Sequence, residues 1–167
     1  MLEFNASYFF RPDASKVEKA LALRSLLDNL IELNTVYLRY HSAPSLYASG
    51  VVYKRDPIWN PIPTLYEAGI GDCKSLACAL IAEYRQHGIP ANPAFRFLPP
   101  FYQGTALEYT LFHILVQTPS GFEDPSKRLG MLDSDLKPFY SQSTIDYRLS
   151  TIGYRPSAVG LQGLEDY

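Results

Sequence analysis

"GIGDCKSLACALIAEYRQHGIPANP", residues 69–93, reads as one helix with both of its boundaries. Asp72 is a residue type that caps helix N-termini, because its short carboxylate accepts the unpaired amides of the first turn. Gly88 is the type that ends helices in the left-handed conformation. Between them Leu76, Ala77, Leu80, Ile81 and Tyr84 stand at offsets 3, 4, 7, 8 and 11 from Cys73. That is a single apolar stripe, so Cys73 opens the face turned to the core and Cys78 falls off its centre. A cysteine at such a position is either a small core residue or an activated nucleophile.

Upstream, Ser15 and Glu18 form a capping-box pair ahead of Val17, Leu21, Leu23, Leu26, Leu27, Leu30 and Ile31, which predicts a helix over about 15–33 or beyond. The stretch "YHSAPSLYASGVVYKRDPIWNPIPTLYEAG", residues 40–69, breaks every period with Pro, Gly, Ser and Tyr. It reads as a long ordered loop with a short strand at Val51 to Tyr53, and loops of that length within a domain tend to be functional. Downstream the period changes to short β runs: Ala94 to Leu98, Leu111 to Gln117 and Phe122 to Asp124. "TPSG" between the last two is a hairpin turn, and the tail adds a strand or two around Tyr147 to Tyr154. Helices followed by strands give an α+β class, with N-terminal helices packed on an antiparallel sheet.

The length of 167 residues suits a single domain over 1–167, and 47% hydrophobic residues supply its core. A net charge of -2 gives no pull toward phosphate backbones or anionic membranes, so neither nucleic acid nor membrane is expected as a partner. No apolar stretch approaches the roughly 20 residues of a membrane span, and "MLEFNASYFF" lacks the pattern of a secretory signal. The expected compartment is cytoplasmic. Cys73 and Cys78 lie about 140° apart around one helix axis, so they do not bridge, and no zinc-ligand spacing is present.

Chemistry concentrates at Cys73. The positive end of a helix favours thiolate and can lower a thiol pKa from about 8.5 into the range ~3.5–7.5. Lys74 works in the same direction and the Asp72 carboxylate against it. The Cys73 amide is left free by the cap, which bonds later residues, and so can serve an oxyanion. Acyl transfer at sulfur also needs a general base. His41 lies in the irregular segment and His87 about 20 Å along the helix from Cys73. His113, in "LFHILVQ", shares a strand face with Leu111 and Leu115, an odd place for a polar ring without partners. A two-residue turn pairs residues whose numbers sum to an odd value, which sends Asp124 and His113 to the same face. Asp124 also has an ordinary use as a turn former before Pro125, and the acidic residues of "DSD", 133–135, suit a solvated loop better than a metal site.

At these residues the sequence resembles the transglutaminase-like group of papain-type cysteine enzymes. The matching blocks are residues 69–93 and "FHILVQTPSGFEDPSKRLGM", residues 112–131, which is similar to the His and Asp strands of that group. The second block's ending, "EDPSKRLGM", and the upstream "YKRDPIWNPIPTLYEAGIGDC" look most like small transglutaminase-like proteins of tailed bacteriophages and prophages. The resemblance spans about 53–131 and implies a papain/transglutaminase-like core. It also implies Cys73 as nucleophile, His113 as general base and acid, and Asp124 as the carboxylate that fixes the imidazole. An aromatic residue upstream, Trp59 or Tyr53, would help the Cys73 amide bind the oxyanion. No metal or organic cofactor is needed. The implied activity is that of a peptidase, amidase or transamidase on a protein or peptide substrate, in a bacterial host cell. The rival is an inactive module of the same fold that binds a protein assembly partner, as a phage assembly or virion component.

Overall fold

Ser15 starts α1 (Lys16–Tyr40) through a complete capping box: its hydroxyl accepts from the Glu18 amide at 3.1 Å, and its own amide donates to the Glu18 carboxylate at 2.7 Å. The computed structural model describes residues 15–97, 101–102, 108–109 and 112–136. The expected strands around Tyr147 to Tyr154 lie outside the described residues. The helix runs past Leu33 to Tyr40 because no Gly or Pro interrupts it before Pro44. It stops where His41 turns extended and stacks its ring on Tyr37, centroids 4.5 Å apart.

The segment expected as an irregular loop holds more structure than its composition suggests. After a 3-10 turn at Leu46–Ala48 come β1 (Val52–Tyr53), α2 (Ile62–Ala68) and β2 (Ile70–Gly71), the two strands pairing in parallel. Helix α2 escapes a composition argument because Pro61 and Pro63 look like breakers. Both sit at its first turn, where a missing N–H costs nothing. Pro61 offers no capping side chain, and the cap comes from another helix: Asn34 of α1, fully buried, accepts the Ile62 amide at 2.8 Å.

Gly69 ends α2 in the left-handed region, φ 67, and Asp72 then starts α3 (Cys73–Gln86) by accepting the Lys74 amide at 3.2 Å. Helix α3 packs against α1 and the sheet at once, and every residue from Ser75 to Ala82 is buried. The single apolar stripe is therefore too narrow a description. Cys78 is a core residue whose thiol donates to the Leu27 carbonyl at 3.6 Å. Leu27 and Ile31 of α1 join Leu76, Leu80 and Ile81 of α3 in that core, each worth about 1.5–3 kcal/mol on full burial.

Beyond α3 lie β3 (Asn92–Phe97), β4 (Phe101–Tyr102), β5 (Glu108–Tyr109), β6 (Phe112–Thr118) and β7 (Gly121–Glu123). Strands β3, β6 and β7 form an antiparallel sheet with β6 in the middle, while β4 and β5 pair separately. The hairpin turn is the two-residue type, Thr118 facing Gly121 across Pro119 and Ser120. The chain is a mixed helix-and-sheet domain, compatible with the expected α+β class. Ile114 and Val116 of β6 join the helix core, so the alternate residues His113 and Leu115 point to the other face. Past β7 come α4 (Pro125–Arg128) and a 3-10 turn at Asp133–Leu136. Among the described residues no helix is long and apolar enough to cross a membrane.

Candidate active site

The hairpin register decides where Asp124 can reach. Val116 faces Glu123 and Thr118 faces Gly121, so Asp124 falls one step past the end of β7, opposite Leu115 and diagonal to His113. His113 Nε2 meets Asp124 Oδ2 at 2.9 Å. Asp124 Oδ1 accepts the Lys127 amide at 3.1 Å and caps α4, so one carboxylate serves both jobs. The Asp–Pro step is what frees it. Pro125 has no N–H for a ladder and its fixed φ suits the start of a helix, so pairing stops before the β6 edge is covered.

That open edge receives the cysteine. The Ile114 backbone N–H is directed at the Cys73 sulfur, and Cys73 and His113 line one cleft of about 320 Å³. Tyr53, Arg55, Asp56 and Pro57 form one wall, with Phe112, Asp135 and Leu136 on the others. The walls are held by identifiable bonds. Asp56 accepts the Ile58 amide at 2.9 Å and the Asn60 side-chain amide at 2.9 Å, and Ser75 of α3 accepts the Asn60 amide at 3.0 Å. Across the cleft, Arg55 donates to the Asp135 carbonyl. The 133–135 segment is thus a 3-10 turn fixed beside the site, with Lys127 paired to Asp133 at 2.7 Å.

The two upstream aromatics have different places. Tyr53 lines the cleft, and its phenol pKa is raised by burial and by the charge that the nearby Cys73 sulfur carries when it ionises. Trp59 is not among the residues lining that cleft. Its ring sits 5.8 Å from the Lys74 ammonium, which is bonded to the Asp72 carboxylate and to the Asp56 carbonyl at 2.7 Å. His41 and His87 cap the far ends of α1 and α3 and are exposed.

Burial enters the balance that the sequence left open between the helix start and Lys74 on one side and Asp72 on the other. Burial first, then the adjacent Asp72 carboxylate, push the Cys73 thiol up to about 11, against the smaller help of the Ile114 amide and Lys74. At pH 7 such a thiol rests in its neutral form. Burial also raises the Asp124 carboxyl, but the His113 hydrogen bond and charge and the Lys127 amide outweigh it, and its pKa lies below the ordinary value. With Nε2 engaged by a carboxylate, the neutral ring carries its proton there and Nδ1 is left as the basic nitrogen.

The sequence did not point to Phe112, Asp135, Leu136 or the Ile114 amide. The first and last of these belong to the strand that carries His113, so its register could have found them; Asp135 and Leu136 lie past the 53–131 core and carry no local signal. Among the described residues no group of three or more His, Cys, Asp and Glu side chains suits a metal ion. In comparisons with known proteins, no family model, no curated protein and no solved structure matches the chain.

Proposed function

We propose that the protein is a cysteine-dependent acyl-transfer enzyme of the transglutaminase-like, papain-type kind, acting on an amide carbonyl of a protein or peptide. The supporting observation is that Cys73 and His113 line one cleft while Asp124 holds the imidazole from the side remote from Nδ1. The succession of a cysteine-bearing helix and a His–Asp hairpin supports a papain/transglutaminase-like core.

The high thiol pKa sets the order of events. Sulfur attacks the carbonyl carbon as His113 Nδ1 takes the thiol proton, in one general-base step rather than from a resting ion pair. The carbonyl oxygen becomes an oxyanion beside the Cys73 amide, with the Tyr53 phenol as second donor. Collapse forms the thioester and expels the amine, which receives its proton from His113. Water or a second amine then attacks the thioester, gives its proton to His113 and returns sulfur as the thiol. Asp124 stabilises the imidazolium that exists between these transfers.

Release of ammonia or amine from glutamine-bearing and amidated peptides, with and without an added amine, tests this. Cys73→Ser and His113→Ala should each abolish turnover while the domain stays folded; full activity in either would reject the mechanism. The neutral, partly buried thiol favours a second reading, a binding module that retains the fold without catalysis. It is supported instead if no peptide is turned over and Cys73 reacts no faster than an ordinary thiol.

A further inference from the structure

Glu123, the residue before Asp124, points to the opposite face of β7 and is held by three donors. The hydroxyls of Tyr47 and Tyr84 each donate to its carboxylate at 2.5 Å, and Arg128 Nη1 donates at 3.1 Å. The Arg128 guanidinium also lies 3.8 Å from the centre of the Tyr47 ring. These donors come from the 3-10 turn at Leu46–Ala48, from α3 and from α4. Tyr84 stands three helical turns beyond Cys73 on nearly the same face of α3.

We propose that Glu123 is a positioning residue: by tying the end of β7 to the helix that carries Cys73, it keeps Asp124 within hydrogen-bond reach of His113. The proposal rests on the acyl-transfer function given above. Asp124 needs such an anchor. It follows a three-residue edge strand and precedes a four-residue helix, elements too short to be stable without tertiary contacts. Between neighbours that point to opposite faces, fixing one side chain on the helix layer fixes the backbone from which the other departs. A shift of about 1 Å at Asp124 would forfeit the bond to His113.

The test is a double-mutant cycle on the alkylation rate of Cys73 by iodoacetamide at pH 7, read by peptide mass spectrometry, in the wild type, Glu123→Gln, Asp124→Asn and the double variant. Glu123→Gln should slow Cys73 by about 3- to 30-fold in the wild-type background and by less than about twofold where Asp124 is already Asn. A loss of general packing would act equally in both backgrounds, so equal factors overturn the proposal, as does an unchanged rate in both. Tyr84→Phe keeps the carboxylate and the ring volume and should give a smaller loss with the same dependence on Asp124. It decides the matter should Glu123→Gln fail to fold. If Asp124→Asn itself leaves the rate unchanged, the acyl-transfer site is refuted and the proposal falls with it; if only the Glu123 and Tyr84 changes are silent, the proposal falls alone.

Discussion

Asp124 divides its two oxygens between His113 Nε2, at 2.9 Å, and the Lys127 amide, at 3.1 Å. Asn and Asp are comparable helix caps, but Asn cannot stabilise an imidazolium. Asp124→Asn should therefore keep stability within about 1 kcal/mol of wild type while slowing chemistry at Cys73 by about 10- to 1,000-fold. Asp124→Ala should slow it similarly and lose about a further 1 kcal/mol, the worth of the cap. Urea unfolding alongside the alkylation rate separates the two; equal stability of the Asn and Ala variants would contradict the shared role.

Gly71 marks the closest packing near the nucleophile. A Cβ there would stand 2.4 Å from Leu65 Cδ1 and 3.3 Å from Leu76 Cδ2, both in fully buried side chains. Gly71→Ala should destabilise by about 1–3 kcal/mol through overpacking, measured as a lowered urea midpoint, because the buried Leu65 side chain must shift to admit the methyl group.

Asn34 reaches across from α1 to accept the Ile62 amide at 2.8 Å, deep in the core. Replacing it with Leu leaves that buried N–H without its acceptor and should cost about 1–3 kcal/mol despite the added apolar surface. Amide hydrogen exchange should show α2 losing protection before α1 and α3 do; a uniform loss would argue that the bond does not specifically hold α2.

Glu123, like Asp124, contributes to the acid limb of stability. Burial raises its carboxyl, but the bonds from Tyr47, Tyr84 and Arg128 prevail and its folded pKa lies below the ordinary value. A depressed folded pKa gives stability that is present above the unfolded value of about 4.3 and is lost as pH falls through the folded one. Glu123→Gln should therefore be less stable than wild type at pH 7, with the gap closing below about pH 4. Chemical denaturation at both pH values checks this. Asp72 and Glu83 act in the opposite sense, since burial raises both, and they soften the wild-type acid limb without changing the difference between the two proteins.

Local signals were legible where they were self-sufficient. Ser15 with Glu18, Asp72 as cap and the two-residue turn at Pro119 and Ser120 each satisfy their own hydrogen bonds within a few residues, so they could be read from order alone. The turn length then carried His113 and Asp124 to one side by parity. What could not be read depends on distant partners. Helix α2 takes its N-terminal cap from Asn34 of another helix because Pro61 has none to give, Cys78 is core because α1 and the sheet enclose α3 on both sides, and the Cys73 thiol is set by burial rather than by its place at a helix start.

Acetylation of Cys73 by p-nitrophenyl acetate at pH 7, followed by peptide mass spectrometry in the wild type and His113→Ala with Cys78 as the internal reference, is the decisive measurement. Acyl transfer through a general base predicts that Cys73 is acetylated far faster than Cys78. It also predicts that the His113 change slows that step by about 10²- to 10⁴-fold. A Cys73 acetylated no faster than a simple thiol, at the same rate with and without the imidazole, would contradict acyl transfer at this cleft.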